Sequence, residues 1–157
     1  MEMRTFKNAV VLFIAMGAYA GKFPRIPGTA GTVVGVILYL LIKDLMFSWY
    51  VIACILVVGI GIWTAGIAEK LLAKKDAPSI VIDEIAGYLV SMAFVPFSWG
   101  IVISGFVLFR FFDITKPWPL NWLQDFHGGI GVMLDDIGAG IYANAILQAS
   151  CYFIGGR

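Results

Sequence analysis

Five carboxylates, Asp83, Glu84, Asp113, Asp135 and Asp136, lie inside or directly against apolar stretches of the chain. A charge held at the centre of a bilayer costs roughly 2.5–3.5 kcal/mol on insertion scales, so such residues mark a functional site. They fall in three segments, 79–87, 109–119 and 127–136. An all-oxygen donor set suits a hard divalent cation, and Mg²⁺ usually takes one or two carboxylates together with water and substrate phosphate. Adjacent helical residues diverge by about 100°, so in Asp83-Glu84 and in Asp135-Asp136 one acid turns to the metal. The other turns to a second metal, an arginine or a water, and the sequence leaves open which is which. Arg110 and Lys116 are the cations nearest these acids in the chain. Purely structural ion pairing is the competing explanation, but two cations cannot neutralise five acids. On the last apolar segment Asp136, Gly140 and Asn144 share one helical face, and Asp135, Ala139 and Ala143 share the next. Small residues beside the acids let helices approach closely around an ion.

Residues 23–32, Phe-Pro-Arg-Ile-Pro-Gly-Thr-Ala-Gly-Thr, precede a helix. Free N–H groups at a helix start, the hydroxyls of Thr29 and Thr32, and Arg25 together suit a phosphate. A Pro-Gly-Thr turn is also an ordinary helix cap, and the segment lacks the Gly-Lys-Ser/Thr ending of a nucleotide P-loop. His127, the single histidine, stands before Gly128-Gly129. Its neutral-range pKa fits a general acid, and a plain surface histidine fits equally.

These residues sit in a chain of 157 residues that is 61% hydrophobic and 13% charged, with a mean hydropathy of +0.91. Soluble domains carry about 25% charged residues, so the composition points to an integral membrane protein. Residues 1–157 form one domain by length. A net charge of +1 gives no support for a nucleic-acid partner. Cys54 and Cys151 are read as small packing residues, and without a Cys-x-x-Cys pair a thiolate zinc site is not expected.

Arg4 and Lys7 precede the apolar run 9–17, which is too short to span and predicts an interfacial or re-entrant N-terminal helix. A cleaved signal ending at Ala18-Tyr19-Ala20 is the alternative, opposed by Lys22 and Arg25 immediately after. Crossings are predicted at 29–47, 49–68, 80–96, 98–115 and 130–154. Ser79 is the expected N-cap of the third, and residues 95–100 turn it into the fourth. Residues 121–129 are expected as a surface loop, with Trp118 and Trp122 at interface depth. This topology puts Lys22, Arg25, Lys70, Lys74, Lys75, Arg110, Lys116 and all five acids on one face, leaving Lys43 and Arg157 on the other. The positive-inside rule makes the crowded face cytoplasmic. The expected fold is therefore all-α: a polytopic bundle of about five spanning helices plus the short N-terminal helix.

Taken together, four segments resemble the phosphatidylglycerophosphatase A family. They are Pro24, Pro27-Gly28-Thr29 and Gly31-Thr32; Ile82-Asp83-Glu84 with Gly87; Phe109-Arg110, Asp113 and Lys116-Pro117-Trp118-Pro119; and His127-Gly128-Gly129, Gly131, Met133 and Asp135-Asp136. They occur in the family's order and cover essentially the whole chain. Phe23 departs from the pattern, where relatives often have Ser, and this affects only a hydroxyl role there. The resemblance implies a Mg²⁺-dependent phosphatase of the bacterial inner membrane that hydrolyses phosphatidylglycerophosphate to phosphatidylglycerol and phosphate. Its implied catalytic residues are Asp83, Glu84, Asp113, Asp135, Asp136, Arg110 and Lys116. Its implied metal ligands come from Asp83, Glu84, Asp113 and Asp136, and the expected substrate contacts are those read from the residues, Arg25, Thr29, Thr32 and His127. The motifs of CDP-alcohol phosphotransferases and of type-2 phosphatidate phosphatases do not occur. A cation transporter or channel is the alternative from another class, and it would carry its acids near the midplane rather than at one face.

Overall fold

The computed structural model describes residues 2–123 and 126–155. Gln124 and Asp125 of the expected loop, and Arg157, lie outside the described residues. The described chain is all helical: α1 (Glu2–Ala15), a 3₁₀ turn (Ala20–Lys22), α2 (Pro27–Ile42), α3 (Phe47–Leu72), α4 (Ile82–Ser91), α5 (Trp99–Thr115), α6 (Leu120–Leu123) and α7 (Gly129–Gly155). α3 and α7 are long and apolar enough to cross a membrane, by length and composition. The outer surface is apolar: Leu41, Ile55, Trp63 and Ile103 are all more than half exposed.

The short helix α4 is the centre of the bundle. Of its ten residues only Glu84 and Val90 escape full burial, and α2, α3, α5 and α7 all pack on it. Small residues make that possible. Pro27 opens α2 at its first turn, where a missing N–H costs nothing. A Cβ on Gly31 would lie 2.5 Å from Val81 Cβ, so α2 rests almost directly on the start of α4. On the other side, a Cβ on Gly140 of α7 would lie 2.3 Å from the Gly87 carbonyl oxygen, and one on Gly87 would lie 2.6 Å from the Asp136 carbonyl oxygen. α7 is also seated on α3, because a Cβ on Gly129 would lie 1.9 Å from the Ile62 carbonyl oxygen.

α4 spans about 15 Å at 1.5 Å per residue, half of a ~30 Å hydrocarbon core. It stops at Ser91, before the expected end of the third crossing, and the chain continues irregularly to Ser98. Its last carbonyls must find partners away from water. They do so on neighbouring helices: Asn144 of α7 donates to the carbonyls of Ser91 (3.0 Å) and Ala93 (2.7 Å), and the Tyr50 hydroxyl of α3 donates to Leu89 (2.7 Å). The expected N-cap at Ser79 gives way to Val81, which has no side-chain cap. The physical reason is tertiary: Val81 N–H donates to the Ala15 carbonyl at the end of α1, while residues 77–80 form a separate turn closed by Ile80 N–H to the Ala77 carbonyl, so the helix starts only after Val81. Ser98 does cap α5, its Oγ accepting from Ile101 N–H at 3.2 Å. The expected loop over 121–129 begins instead within α6, because Leu120 is buried and fills the space beside Gly138.

Gly140→Ala should therefore lower the melting temperature in detergent, at a cost of about 1–3 kcal/mol for an overpacked contact. Gly59→Ala, whose Cβ meets nothing within 4 Å, should leave it unchanged or slightly raised. Equal melting temperatures for the two variants would contradict the close α4–α7 contact.

Candidate active site

The first turn of α4, the second turn of α7 and the last two turns of α5 converge on one cavity of about 550 Å³. Asp83, Asp135 and Asp136 are buried, at 7%, 5% and 3% exposure, and Glu84 is nearly so. One oxygen from each of Asp83, Glu84 and Asp136 lies within 4.8 Å of the others. Asp113, three residues after Arg110 on α5, accepts a hydrogen bond from that guanidinium and also reaches Asp136. Arg110 stands 3.7 Å from Glu84 as well. Lys116, left-handed at the end of α5 (φ 41°), turns back to pair with Asp135. Burial alone would lower the Lys116 pKa. The hydrogen bond and charge of Asp135, with the charges of Asp136 and Asp113, outweigh that and hold it above the ordinary lysine value.

The N-terminus of α2 closes the cavity from above. A Cβ on Gly28 would lie 2.3 Å from Glu84 Oε1 and 2.9 Å from an Arg110 nitrogen, so with any other residue here the ends of these two side chains would have to move. Arg25 and Thr29 line the cavity. Thr32 does not: it is fully buried, and its hydroxyl donates to the Gly28 carbonyl at 2.9 Å. It holds the glycine turn in place and is not available to a phosphate, which corrects its expected role as a substrate contact. His127 is exposed and lies outside the cavity lining. Asp136, Gly140 and Asn144 share the face of α7 that meets α4, with Asn144 bonded at the far end of that helix. One acid that the sequence did not single out, Asp76, reaches the cavity from the α3–α4 connection. It lies exposed in a lysine-rich loop with φ 46°, at the rim of the cavity, and no spacing pattern announces it.

The donor set fits a divalent cation. Glu84 Oε2, Asp135 Oδ1 and Asp136 Oδ2 are buried without a hydrogen-bond partner. Orphaned carboxylate oxygens in a buried site are costly, and a coordinated cation satisfies them. The acids of the cavity also outnumber its cations Arg25, Arg110 and Lys116, so a bound cation relieves their mutual repulsion.

The phosphatidylglycerophosphatase A family model matches residues 13–150. The chain belongs to the phosphatidylglycerophosphatase A family. Among curated relatives, phosphatidylglycerophosphatase A of Escherichia coli (strain K12) is 36% identical over 144 residues, covering 90% of this chain and 81% of the relative. The Haemophilus influenzae protein of the same name is 35% identical, covering 90% and 88%. A Bacteroides thetaiotaomicron protein, named provisionally as a phosphatidylinositol-3-phosphatase, is 33% identical and covers 92% and 95%. No solved structure matches the chain. All four segments that carried the resemblance fall within the matched residues.

Gly28→Ala should push the Glu84 carboxylate and the Arg110 guanidinium from their places. A displacement near 1 Å in a catalytic array costs on the order of 100-fold in rate. Phosphatase turnover should fall by about that factor while the melting temperature in detergent stays within a few degrees of the unaltered protein.

Proposed function

We propose that this chain is a Mg²⁺-dependent phosphatidylglycerophosphate phosphatase of the bacterial inner membrane, releasing phosphatidylglycerol and inorganic phosphate on the cytoplasmic face. Family membership makes it a phosphoric monoester hydrolase. The observation that carries the fuller reading is the triad Asp83, Glu84 and Asp136, buried beside two cations, with carboxylate oxygens left for an ion. Family relatives named for phosphatidylglycerophosphate favour that substrate.

Asp83, Glu84 and Asp136 would hold Mg²⁺, with Asp113 beside them. When bound, the ion supplies Lewis-acid polarisation of the terminal phosphate and orients water. Arg110 and Lys116 neutralise negative charge on the transferring phosphoryl oxygens. Arg25 and Thr29, at the start of α2, take the outer phosphate oxygens. Asp135, the cavity carboxylate outside that ligand group, accepts the proton of the attacking water as its oxygen bonds to phosphorus. The phosphorus–oxygen bond to glycerol breaks, and the leaving oxygen takes up a proton. His127, exposed at the start of α7, is then a contact for the outer headgroup at most.

The membrane arrangement belongs to the same proposal. α2, α3, the α4 segment, α5 and α7 are the five crossings, with α1 at the interface. The acids stand near the α2, α4 and α7 starts and the α5 end, which are helix termini and not midplane positions. That favours a headgroup enzyme over a cation pathway.

Phosphate release from purified protein in phosphatidylglycerophosphate micelles tests the reading. Mg²⁺ should be required and EDTA should abolish release. Asp83→Asn, Glu84→Gln, Asp113→Asn and Asp136→Asn should each lower turnover by about 100-fold or more. Activity in EDTA, near-normal rates in all four variants, or preference for phosphatidylinositol 3-phosphate would each overturn it.

A further inference from the structure

Of the acids that line the cavity, Asp76 has no part in the proposed hydrolysis. Asp83, Asp135 and Asp136 are buried, whereas Asp76 is exposed at the rim. Its charge is felt at both Asp83 and Asp135, so its carboxylate lies on the cavity side of the α3–α4 connection. Lys74 and Lys75 precede it directly, yet among the described residues Asp76 belongs to no ion pair.

The fold ties this residue down. Glu69, in the last turn of α3, receives two bonds from the connection. Its carbonyl accepts from Lys74 N–H at 3.2 Å, and its Oε1 accepts from Asp76 N–H at 2.7 Å. A carboxylate that accepts a backbone N–H makes a charge-assisted bond, stronger than a neutral one. Ala73 and Asp76 both take left-handed backbone, with φ 50° and 46°, a conformation that costs energy for residues other than glycine. Ala77 then enters the core at 4% exposure. Asp76 is thus fixed on both sides, by the Glu69 latch before it and by a buried residue after it.

A carboxylate at this place repels the phosphate that Arg25, Arg110 and Lys116 attract. The orphaned oxygens that suit an ion belong to Glu84, Asp135 and Asp136, which lie deeper. An ionised carboxylate only accepts hydrogen bonds, so its complement in a substrate is an uncharged O–H or N–H donor. The headgroup of phosphatidylglycerophosphate carries one such donor, the glycerol hydroxyl, on the carbon next to the phosphoester that is cleaved. Resting on the proposed phosphatidylglycerophosphatase reading, we infer that Asp76 is a specificity residue that accepts a hydrogen bond from the headgroup hydroxyl, and that Glu69 is the positioning residue that holds it at the rim. A lipid phosphate without that hydroxyl leaves the carboxylate with no donor but water.

Measuring kcat/KM of the full chain with Mg²⁺ on two matched lipids tests the assignment. One is phosphatidylglycerophosphate, and the other is phosphatidylpropanediol phosphate, which keeps the spacing of the two phosphates and loses only the hydroxyl. The unaltered protein should favour the hydroxylated lipid about tenfold, the effect of one hydrogen bond to a charged acceptor. Asp76→Ala should bring the ratio to within about two-fold of one. Glu69→Ala should lower it at least about three-fold, and Glu69→Gln, whose amide oxygen still accepts from Asp76 N–H, should restore it. A ratio near or below one in the unaltered protein would overturn the assignment. So would an unchanged ratio in Asp76→Ala, whatever its absolute rates, or Glu69→Ala and Glu69→Gln that behave alike. A protein that hydrolyses both lipids equally well keeps the functional reading and loses only the role of Asp76. One that releases phosphate from neither loses both.

Discussion

The approach of α4 to α7 at Gly87 and Gly140 is the constraint on which the site depends. With either glycine replaced by a larger residue, the two helices cannot come within backbone contact. Asp83 and Glu84 sit one turn before Gly87, and Asp136 sits one turn before Gly140. The contact therefore sets the distance between the acids before any side-chain rotamer is chosen. Packing energy from the rest of α4, buried among four neighbouring helices, opposes the repulsion of like charges held this close.

That repulsion is only partly relieved within the protein. Arg110 bridges Asp113 and Glu84, and Lys116 pairs with Asp135. Asp83 and Asp136 belong to no such pair among the described residues, and three carboxylate oxygens lack donors. A structure built only for stability would not retain them, since a well-packed apolar substitute is often as good as a buried ion pair or better. The remaining negative charge is directed toward the same cavity as Thr29 and Arg25, which suits a site that gathers a cation and a phosphate together.

Much of this was readable from the residues. Acid placement in apolar runs pointed to five of the six acids that line the cavity, missing Asp76, and the Pro-Ser-Gly turn signal at 96–100 separated α4 from α5. Without that separation Asp83 and Asp113 could not share a face. Other features were set by tertiary contacts that leave no periodic trace. The α4 start was delayed past Ser79 by a hydrogen bond to α1, and its early end was allowed by Asn144 from a helix more than fifty residues later. Thr32 matched a phosphate-binding pattern by type and spacing, yet its rotamer turns it to its own helix. Hydroxyls in a helix have that option at every position, so composition alone does not distinguish the two uses.

The support of α4 by α7 also bears on the order in which the protein is made. A ribosome releases α4 well before α7, and at that moment the carbonyls of Ser91 and Ala93 lack the Asn144 amide that later receives them. A ten-residue helix with open carbonyls and two acids at its head is poorly stable by itself in apolar surroundings. Until α7 is in place, α4 lacks both that amide and the helix it packs on most closely. The acid pair at the head of α4 is therefore completed only by a helix that is synthesised after it, α7.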